Sequence, residues 1–119
     1  MTAIIGSDRQ VKQVNWSVGT EESDIVSLGL GRSFSLYLPL GFLGATIAVK
    51  ARIQGEDARG HEVDIWADLY KDGAPLLIPV AAEKINYLPA ELFSGSDEIK
   101  FVSDKSESSQ PVGYLQAAS

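Results

Sequence analysis

The sequence predicts an all-β fold, an antiparallel β-sandwich or jelly roll of about seven or eight short strands. Apolar and polar residues alternate with a period of two through most of the chain, which is typical of strands that bury one face. Clusters of Gly, Pro, Ser and Asp separate these alternating runs at short intervals. Only residues 89–94 have a helical pattern, a short turn that Pro89 opens and Gly95 closes.

The first part of the chain contains three predicted strands. Alternation predicts a strand over residues 14–18 and another over residues 34–38. Pro39 ends the second of these, because proline cannot donate a hydrogen bond to a neighbouring strand. Between them, residues 25–28 form a short apolar run that stops at Gly29. Each strand is therefore bounded by a residue type that interrupts a β-ladder or by a turn.

The two clearest alternating runs flank a polar loop and are predicted to pair as a hairpin: residues 46–54 and residues 63–70. Two registers match their apolar faces. The first sets Lys50 opposite Asp68, and the second sets Arg52 opposite Asp64. Both place cations beside carboxylates and an indole on the outer face, and each such contact contributes about 0.2–1 kcal/mol. The sequence leaves both registers open.

The last part of the chain begins with a tight turn. Asp72 and Gly73 predict a type I′ hairpin turn, because both residue types tolerate positive φ angles. Alternating or apolar runs then predict three more strands, at residues 76–80, 99–102 and 112–117. The polar run at residues 103–110 is predicted to be a mobile loop.

Length and composition limit the chemistry. A chain of 119 residues is the size of one domain, here divided into an extended N-terminal arm (residues 1–10) and a single β-sandwich domain (residues 11–119). The absence of cysteine excludes disulfides, thiolate metal ligands and cysteine nucleophiles. His61 is the sole histidine. We therefore predict a protein that is not an enzyme, with no catalytic residues, no metal-binding residues and no cofactor.

The net charge and the length of the apolar stretches indicate which classes of partner to expect. The net charge is −6 with ten Lys and Arg residues, which argues against nucleic-acid binding because phosphate neutralisation needs a basic face. The apolar stretches are shorter than the roughly 20 residues of a transmembrane helix. Neither nucleic acid nor a membrane is therefore an expected partner.

Eight residues are candidates for binding a protein partner or a glycan. The residues of the N-terminal arm either add as a strand to a neighbouring subunit or belong to a frayed terminus. The charged residues of loop 55–62 either contact a partner or are simply solvated. Two aromatic residues on a polar strand face either form a contact platform or pack beneath a loop. The candidates are Ile4, Ile5, Arg9, Asp57, Arg59, His61, Trp66 and Tyr70.

Four motifs occur in order within residues 25–118. They are Leu-Pro-Leu-Gly-Phe-Leu-Gly-Ala-Thr-Ile-Ala-Val at 38–49, Tyr-Lys-Asp-Gly at 70–73, Leu-Pro-Ala-Glu-Leu-Phe-Ser-Gly at 88–95 and Ile-Lys-Phe-Val-Ser at 99–103. In this order the chain resembles small virion structural proteins of tailed bacteriophages. The resemblance implies a β-sandwich that decorates or cements a capsid, and it brings no catalytic residues. The chain departs from the group at loop 55–62, which is longer and more acidic than the glycine-rich connection often found there.

Two functions are expected. The first is a non-enzymatic capsid decoration (cement) protein that binds the major capsid protein and stabilises the head. It is expected on the capsid surface of the virion after assembly in the host cytoplasm, and it also binds copies of itself as a trimer or dimer. The alternative is a glycan- or receptor-binding module of a tail or fibre. That alternative expects an exposed groove lined by Trp66 and Tyr70, or by Tyr87 and Tyr114.

Overall fold

The computed structural model describes residues 9–28, 33–89 and 98–118. Within these ranges the chain forms twelve β-strands and no helix, and the strands pair antiparallel. The prediction of an all-β antiparallel fold is confirmed. The strands are β1 (Arg9–Asn15), β2 (Thr20–Glu22), β3 (Val26–Ser27), β4 (Ser33–Tyr37), β5 (Thr46–Glu56), β6 (Glu62–Asp68), β7 (Tyr70–Lys71), β8 (Ala74–Pro75), β9 (Leu77–Pro79), β10 (Ile85–Leu88), β11 (Glu98–Glu107) and β12 (Val112–Ala118).

The strands form two main sheets. The four-stranded sheet has the order β1-β12-β4-β10. The six-stranded sheet has the order β2-β11-β5-β6, with β3 also paired to β11 and β9 also paired to β5. β7 and β8 form a separate two-stranded ribbon. Neighbours in each sheet are often far apart in sequence, so the sheets depend on long-range pairing.

The core is built from apolar side chains that alternate inward from both sheets, as in a β-sandwich. Leu36 and Leu115 come from the four-stranded sheet, and Ile47 and Phe101 come from the six-stranded sheet. The other buried apolar residues are Val14, Trp16, Val26, Leu28, Phe34, Leu38, Phe42, Val49, Ile78, Leu88, Ile99 and Ala117. Since one face of each sheet is committed to this core, the opposite face is left for solvent or partners.

Trp16 is the largest side chain in the core. Its ring meets Phe42 edge-on, with centroids 5.0 Å apart and planes at 67°. Its indole N–H donates a hydrogen bond to the Glu21 carbonyl oxygen at 3.0 Å, so the polar end of the ring is satisfied although the residue is buried.

The structure adds strands that the sequence pattern did not predict. β2 and β10 have three and four residues, which is too short for a clear period of two. The predicted helical turn at residues 89–94 lies, apart from Pro89, outside the described residues. The predicted loop at 103–110 is wrong over residues 103–107, because β11 continues to Glu107. The strand continues there because its buried polar side chains, Ser103 and Glu107, are hydrogen-bonded to each other.

The β5–β6 hairpin adopts the first of the two predicted registers. Lys50 lies opposite Asp68, and Arg52 lies opposite Trp66. Arg52 still reaches Asp64, the partner of the second register, along the diagonal of the ladder. Diagonal neighbours on one sheet face are within reach of long side chains. The contact between Arg52 and Asp64, which the second register predicted, is therefore also formed in the observed register.

The predicted type I′ turn is confirmed between β7 and β8. Asp72 has a φ of 55° and Gly73 a φ of 80°, so both central residues lie in the left-handed region. The flanking residues Lys71 and Ala74 are paired directly across the turn.

Candidate functional site

The outer face of the four-stranded sheet presents two rows of side chains that run across all four strands. Strand pairing sets the first row as Gln13, Tyr114, Tyr37 and Ile85, and the second row as Val11, Gln116, Ser35 and Tyr87. None of these eight side chains is charged, although charged residues make up 22% of the chain. We call these eight residues the tyrosine face.

Two shallow grooves open along the tyrosine face. The larger has a volume of about 230 Å³ and is lined by Val11, Ser35, Tyr37, Ile85, Tyr114 and Gln116. The smaller has a volume of about 140 Å³ and is lined by Ser33, Phe34, Ser35, Tyr87, Gln116 and Ala118. Ser35 and Gln116 border both grooves, so the two lie side by side. Tyr87 is 83% exposed and Tyr114 is 42% exposed. The two tyrosines expected to line a groove therefore lie on one accessible face.

Six of the eight residues of the tyrosine face were not singled out from the sequence, among them Tyr37 and Ile85. Tyr37 occupies an outer position in the predicted strand 34–38, so alternation alone would have placed it there. Ile85 lies on β10, where four alternating residues are too few to identify a strand. The juxtaposition of these residues with Tyr114 depends on β12 pairing with β4.

The outer face of the six-stranded sheet is different, because charged side chains cover it in matched pairs. Arg52 on β5 donates two hydrogen bonds to the Asp64 carboxylate, from Nε at 2.8 Å and from Nη2 at 2.7 Å. Its Nη1 also donates to Glu98 Oε1 at 2.9 Å. The Arg52 guanidinium holds the pKa of Asp64 below its ordinary value. Arg52 therefore ties β6, β5 and β11 together across the sheet.

A second group of ion pairs is centred on Glu22 of β2. Lys50 Nζ lies 2.7 Å from Glu22 Oε2, and Lys100 Nζ lies 3.6 Å from Glu22 Oε1. The hydrogen bond from Lys50 lowers the pKa of Glu22, and the same bond raises the pKa of Lys50. Lys50 and Lys100 lie opposite each other on neighbouring strands. Because the Glu22 carboxylate pairs with both ammonium groups, it offsets the repulsion between these two like charges.

Trp66 lies within this charged face. The Arg52 guanidinium carbon lies 5.5 Å from the centre of the indole, and Lys100 Nζ lies 4.9 Å from it. Both distances are in the range of cation–π interactions. Tyr70 lies beyond the end of β6 in the two-stranded ribbon, where it is exposed and paired with Pro75. The Trp66 indole is half-buried against Arg52 and Lys100, whereas the Tyr70 ring remains accessible.

The charged loop between β5 and β6 is a closed turn. Asp57 Oδ1 accepts hydrogen bonds from the main-chain N–H groups of Arg59 and His61, each at 2.9 Å. His61 Nδ1 lies 3.6 Å from Asp57 Oδ2. The Asp57 carboxylate therefore organises the turn, while the side chains of Arg59 and His61 are exposed at its surface.

The N-terminal candidates fall largely outside the described residues. Ile4 and Ile5 lie there, as do all residues before Arg9. Arg9 begins β1, with its main chain paired to that of Ala118, and Gln10 follows in the same strand. The last two residues of the predicted arm thus belong to the four-stranded sheet.

Within residues 9–28, 33–89 and 98–118, no three His, Asp or Glu side chains are grouped so that they could hold a metal ion. The same ranges contain no helix that is long and apolar enough to cross a membrane.

Comparisons with known proteins assign the chain to no family. No protein-family model matches the sequence, and neither a curated protein nor a solved structure matches it. The function is therefore inferred from the two sheet faces described above.

Proposed function

We propose that this chain is a non-enzymatic structural protein of a bacteriophage virion, a decoration protein that binds the major capsid protein through the tyrosine face and stabilises the head. The bacteriophage setting follows from the sequence resemblance. In that setting the protein lies on the capsid surface, after assembly in the host cytoplasm, and several copies occupy equivalent sites as a dimer or trimer.

The observation that carries this proposal is the lack of charge on the tyrosine face. The centres of protein–protein interfaces are depleted in charged residues and enriched in tyrosine, because buried charges are costly to desolvate and aromatic rings bury a large area. On the opposite side of the sandwich, Lys50, Arg52 and Lys100 already form ion pairs with carboxylates. The tyrosine face is therefore the surface best suited to lose its water on binding.

Co-sedimentation with purified, undecorated heads tests this proposal. Tyr87→Lys and Tyr114→Lys each place a charge on the tyrosine face, and both side chains are exposed enough for the fold to accept the change. We expect each variant to bind heads about tenfold more weakly, or worse, than the unmodified chain. Leu77→Lys is the matched control, because Leu77 is exposed on a strand of the other sheet.

The outcomes of that experiment are distinct. Weak binding by the two tyrosine variants with full binding by Leu77→Lys supports the tyrosine face as the contact. Equal binding by all three variants would show that the capsid contact lies elsewhere. A failure of the unmodified chain to sediment with heads would overturn the decoration role.

The two adjacent grooves favour a second candidate, a glycan- or receptor-binding module of a tail or fibre. Ligand sites typically combine aromatic walls with a few polar groups that orient the ligand. Tyr37 and Tyr114 supply the rings, and Gln116 supplies an amide between the grooves. A neutral sugar matches this uncharged lining. Binding to a glycan array that is lost in Tyr114→Ala, without binding to heads, would favour this candidate over the first.

A further inference from the structure

The outer edge of β6 has main-chain groups that are directed away from its one partner. Among the described strands, β6 pairs with β5 alone. The Leu69 N–H donates to the Val49 carbonyl oxygen, which identifies the hydrogen-bonded pairs of this antiparallel ladder. Because such pairs alternate, the main-chain groups of Asp64, Trp66 and Asp68 point to the outside of the sheet. An edge of this kind is a template for an added strand.

The inner face of the same hairpin extends beyond the core. Along β5 the inward side chains change from buried at Ile47 and Val49 to exposed at Ile53. Ile53 is 65% exposed, and Ile65, its direct partner on β6, is 51% exposed. An added strand with apolar residues at alternate positions would pack beside Ile65 and reduce its exposure to water.

The charge of the hairpin selects the kind of strand that fits. The edge strand β6 contains three acidic residues and no basic residue, whereas Lys50 and Arg52 lie on β5. Glu62, Asp64 and Asp68 share the outer face of β6 with Trp66. A strand with basic residues at its outward positions would lie beside these carboxylates, and opposite charges on neighbouring strands stabilise their pairing.

A second copy of this chain does not fit the edge equally well. Antiparallel pairing of two β6 strands about Ile65 would set Glu62 of each copy opposite Asp68 of the other. Like charges directly opposite one another destabilise a sheet. The acidic side chains therefore act against self-pairing, as charged residues commonly do on edge strands.

We propose that the outer edge of β6 binds an extended basic segment of a partner protein by strand addition. The segment carries Lys or Arg at alternate positions toward Glu62 and Asp68 and aliphatic residues toward Ile65. This edge lies on the six-stranded sheet, so the proposal is independent of the tyrosine face and of any capsid or glycan bound there.

An eight-residue peptide in which lysine alternates with valine is the probe. Titrated into the full-length protein, it is expected to slow amide hydrogen exchange at Asp64, Trp66 and Asp68, the residues whose N–H groups point outward. The inward N–H groups of Ile65 and Ala67 are already within the β5–β6 ladder and are expected to change less. A peptide with the same composition, but with its lysines and valines in two separate blocks, is the control for simple charge attraction.

Charge reversal tests the direction of the preference. The double variant Glu62→Lys with Asp68→Lys is expected to bind the lysine–valine peptide roughly tenfold more weakly and to gain affinity for a glutamate–valine peptide. The matched control is Glu21→Lys with Glu83→Lys, which changes the net charge equally at exposed positions outside the hairpin. This control is expected to bind the lysine–valine peptide nearly as well as the unmodified protein.

Three results would overturn the proposal. The first is equal binding of the alternating and block peptides. The second is equal weakening of binding by the two double variants. The third is binding of the peptide without any added protection of the three outward amides. None of these results depends on whether the tyrosine face binds a capsid.

Discussion

At the scale of single residues, the most informative side chain is Glu107, which is fully buried at the end of β11. Its Oε1 accepts a hydrogen bond from the Leu43 N–H at 2.8 Å, and its Oε2 accepts one from the Ser103 hydroxyl at 2.9 Å. Its main-chain oxygen accepts a third from the Gly19 N–H at 2.7 Å. Glu107 thus connects two loops to the end of a strand.

Asp104, on the same strand, binds the main chain just before and at the start of β5. Its Oδ1 accepts hydrogen bonds from the main-chain N–H groups of Ala45 at 2.8 Å and Thr46 at 3.3 Å. The bond from Ala45 is the main cause of a pKa below the ordinary aspartate value. Two carboxylates therefore fix the segment that leads into β5.

We expect Glu107→Ala to destabilise the protein by roughly 1–3 kcal/mol, because it removes the acceptor of the Leu43 N–H and of the buried Ser103 hydroxyl. Urea unfolding followed by circular dichroism measures this change. Glu107→Gln is the matched control and should cost less, since an amide keeps an acceptor for Leu43 and has a donor for Ser103. Equal losses in the two variants would contradict the role assigned to these hydrogen bonds.

At the scale of elements, the β7–β8 ribbon depends on the turn that joins its strands. Gly73 has a φ of 80°, and a methyl group placed on it would meet no atom within 4 Å. Any cost of adding that methyl group is therefore conformational rather than a steric clash with a neighbour.

Gly73→Ala is expected to destabilise the protein by about 1 kcal/mol, because a side chain disfavours positive φ. Thermal unfolding measures the loss. Asp72→Asn is the control, because asparagine also tolerates the left-handed region and should leave stability nearly unchanged. A neutral Gly73→Ala variant would indicate that this ribbon contributes little to the stability of the fold.

At the scale of the whole molecule, the chain passes repeatedly between the two sheets. In sequence order, β1, β4, β10 and β12 belong to the four-stranded sheet, and the strands between them belong to the six-stranded sheet, apart from β7 and β8 of the ribbon. The path along the described strands therefore passes between the two main sheets six times. Neither sheet is a continuous segment that could keep its structure when the other is lost.

We expect one cooperative unfolding transition, as for a small single domain. In Trp66→Phe the fluorescence reports Trp16 in the core alone, since the chain has two tryptophans. The denaturation midpoint from Trp16 fluorescence should coincide with the midpoint from far-ultraviolet circular dichroism. Two separate midpoints would show that the sheets unfold independently, contrary to the single domain predicted from the sequence.

The sequence by itself determined the features that depend on near neighbours. The alternation of residues 46–54 and 63–70 predicted two paired strands, and Asp72 with Gly73 predicted the type I′ turn that joins β7 to β8. These signals are local, because side-chain period and backbone φ preference are properties of adjacent residues. The same alternation predicted the fold class, and the composition determined the lack of cysteine chemistry.

Only the tertiary structure decided which surfaces are available. Tyr114 and Tyr37 become neighbours because β12 pairs with β4 across most of the chain, and no local pattern encodes that pairing. In the same way, the burial of Glu107 depends on Leu43, a donor 64 residues away. Long-range strand pairing joined outward residues into an uncharged face and, among the described strands, left the acidic edge of β6 without a second neighbour. Such pairing is selected by the packing of whole strands in the core rather than by the residues that end up exposed.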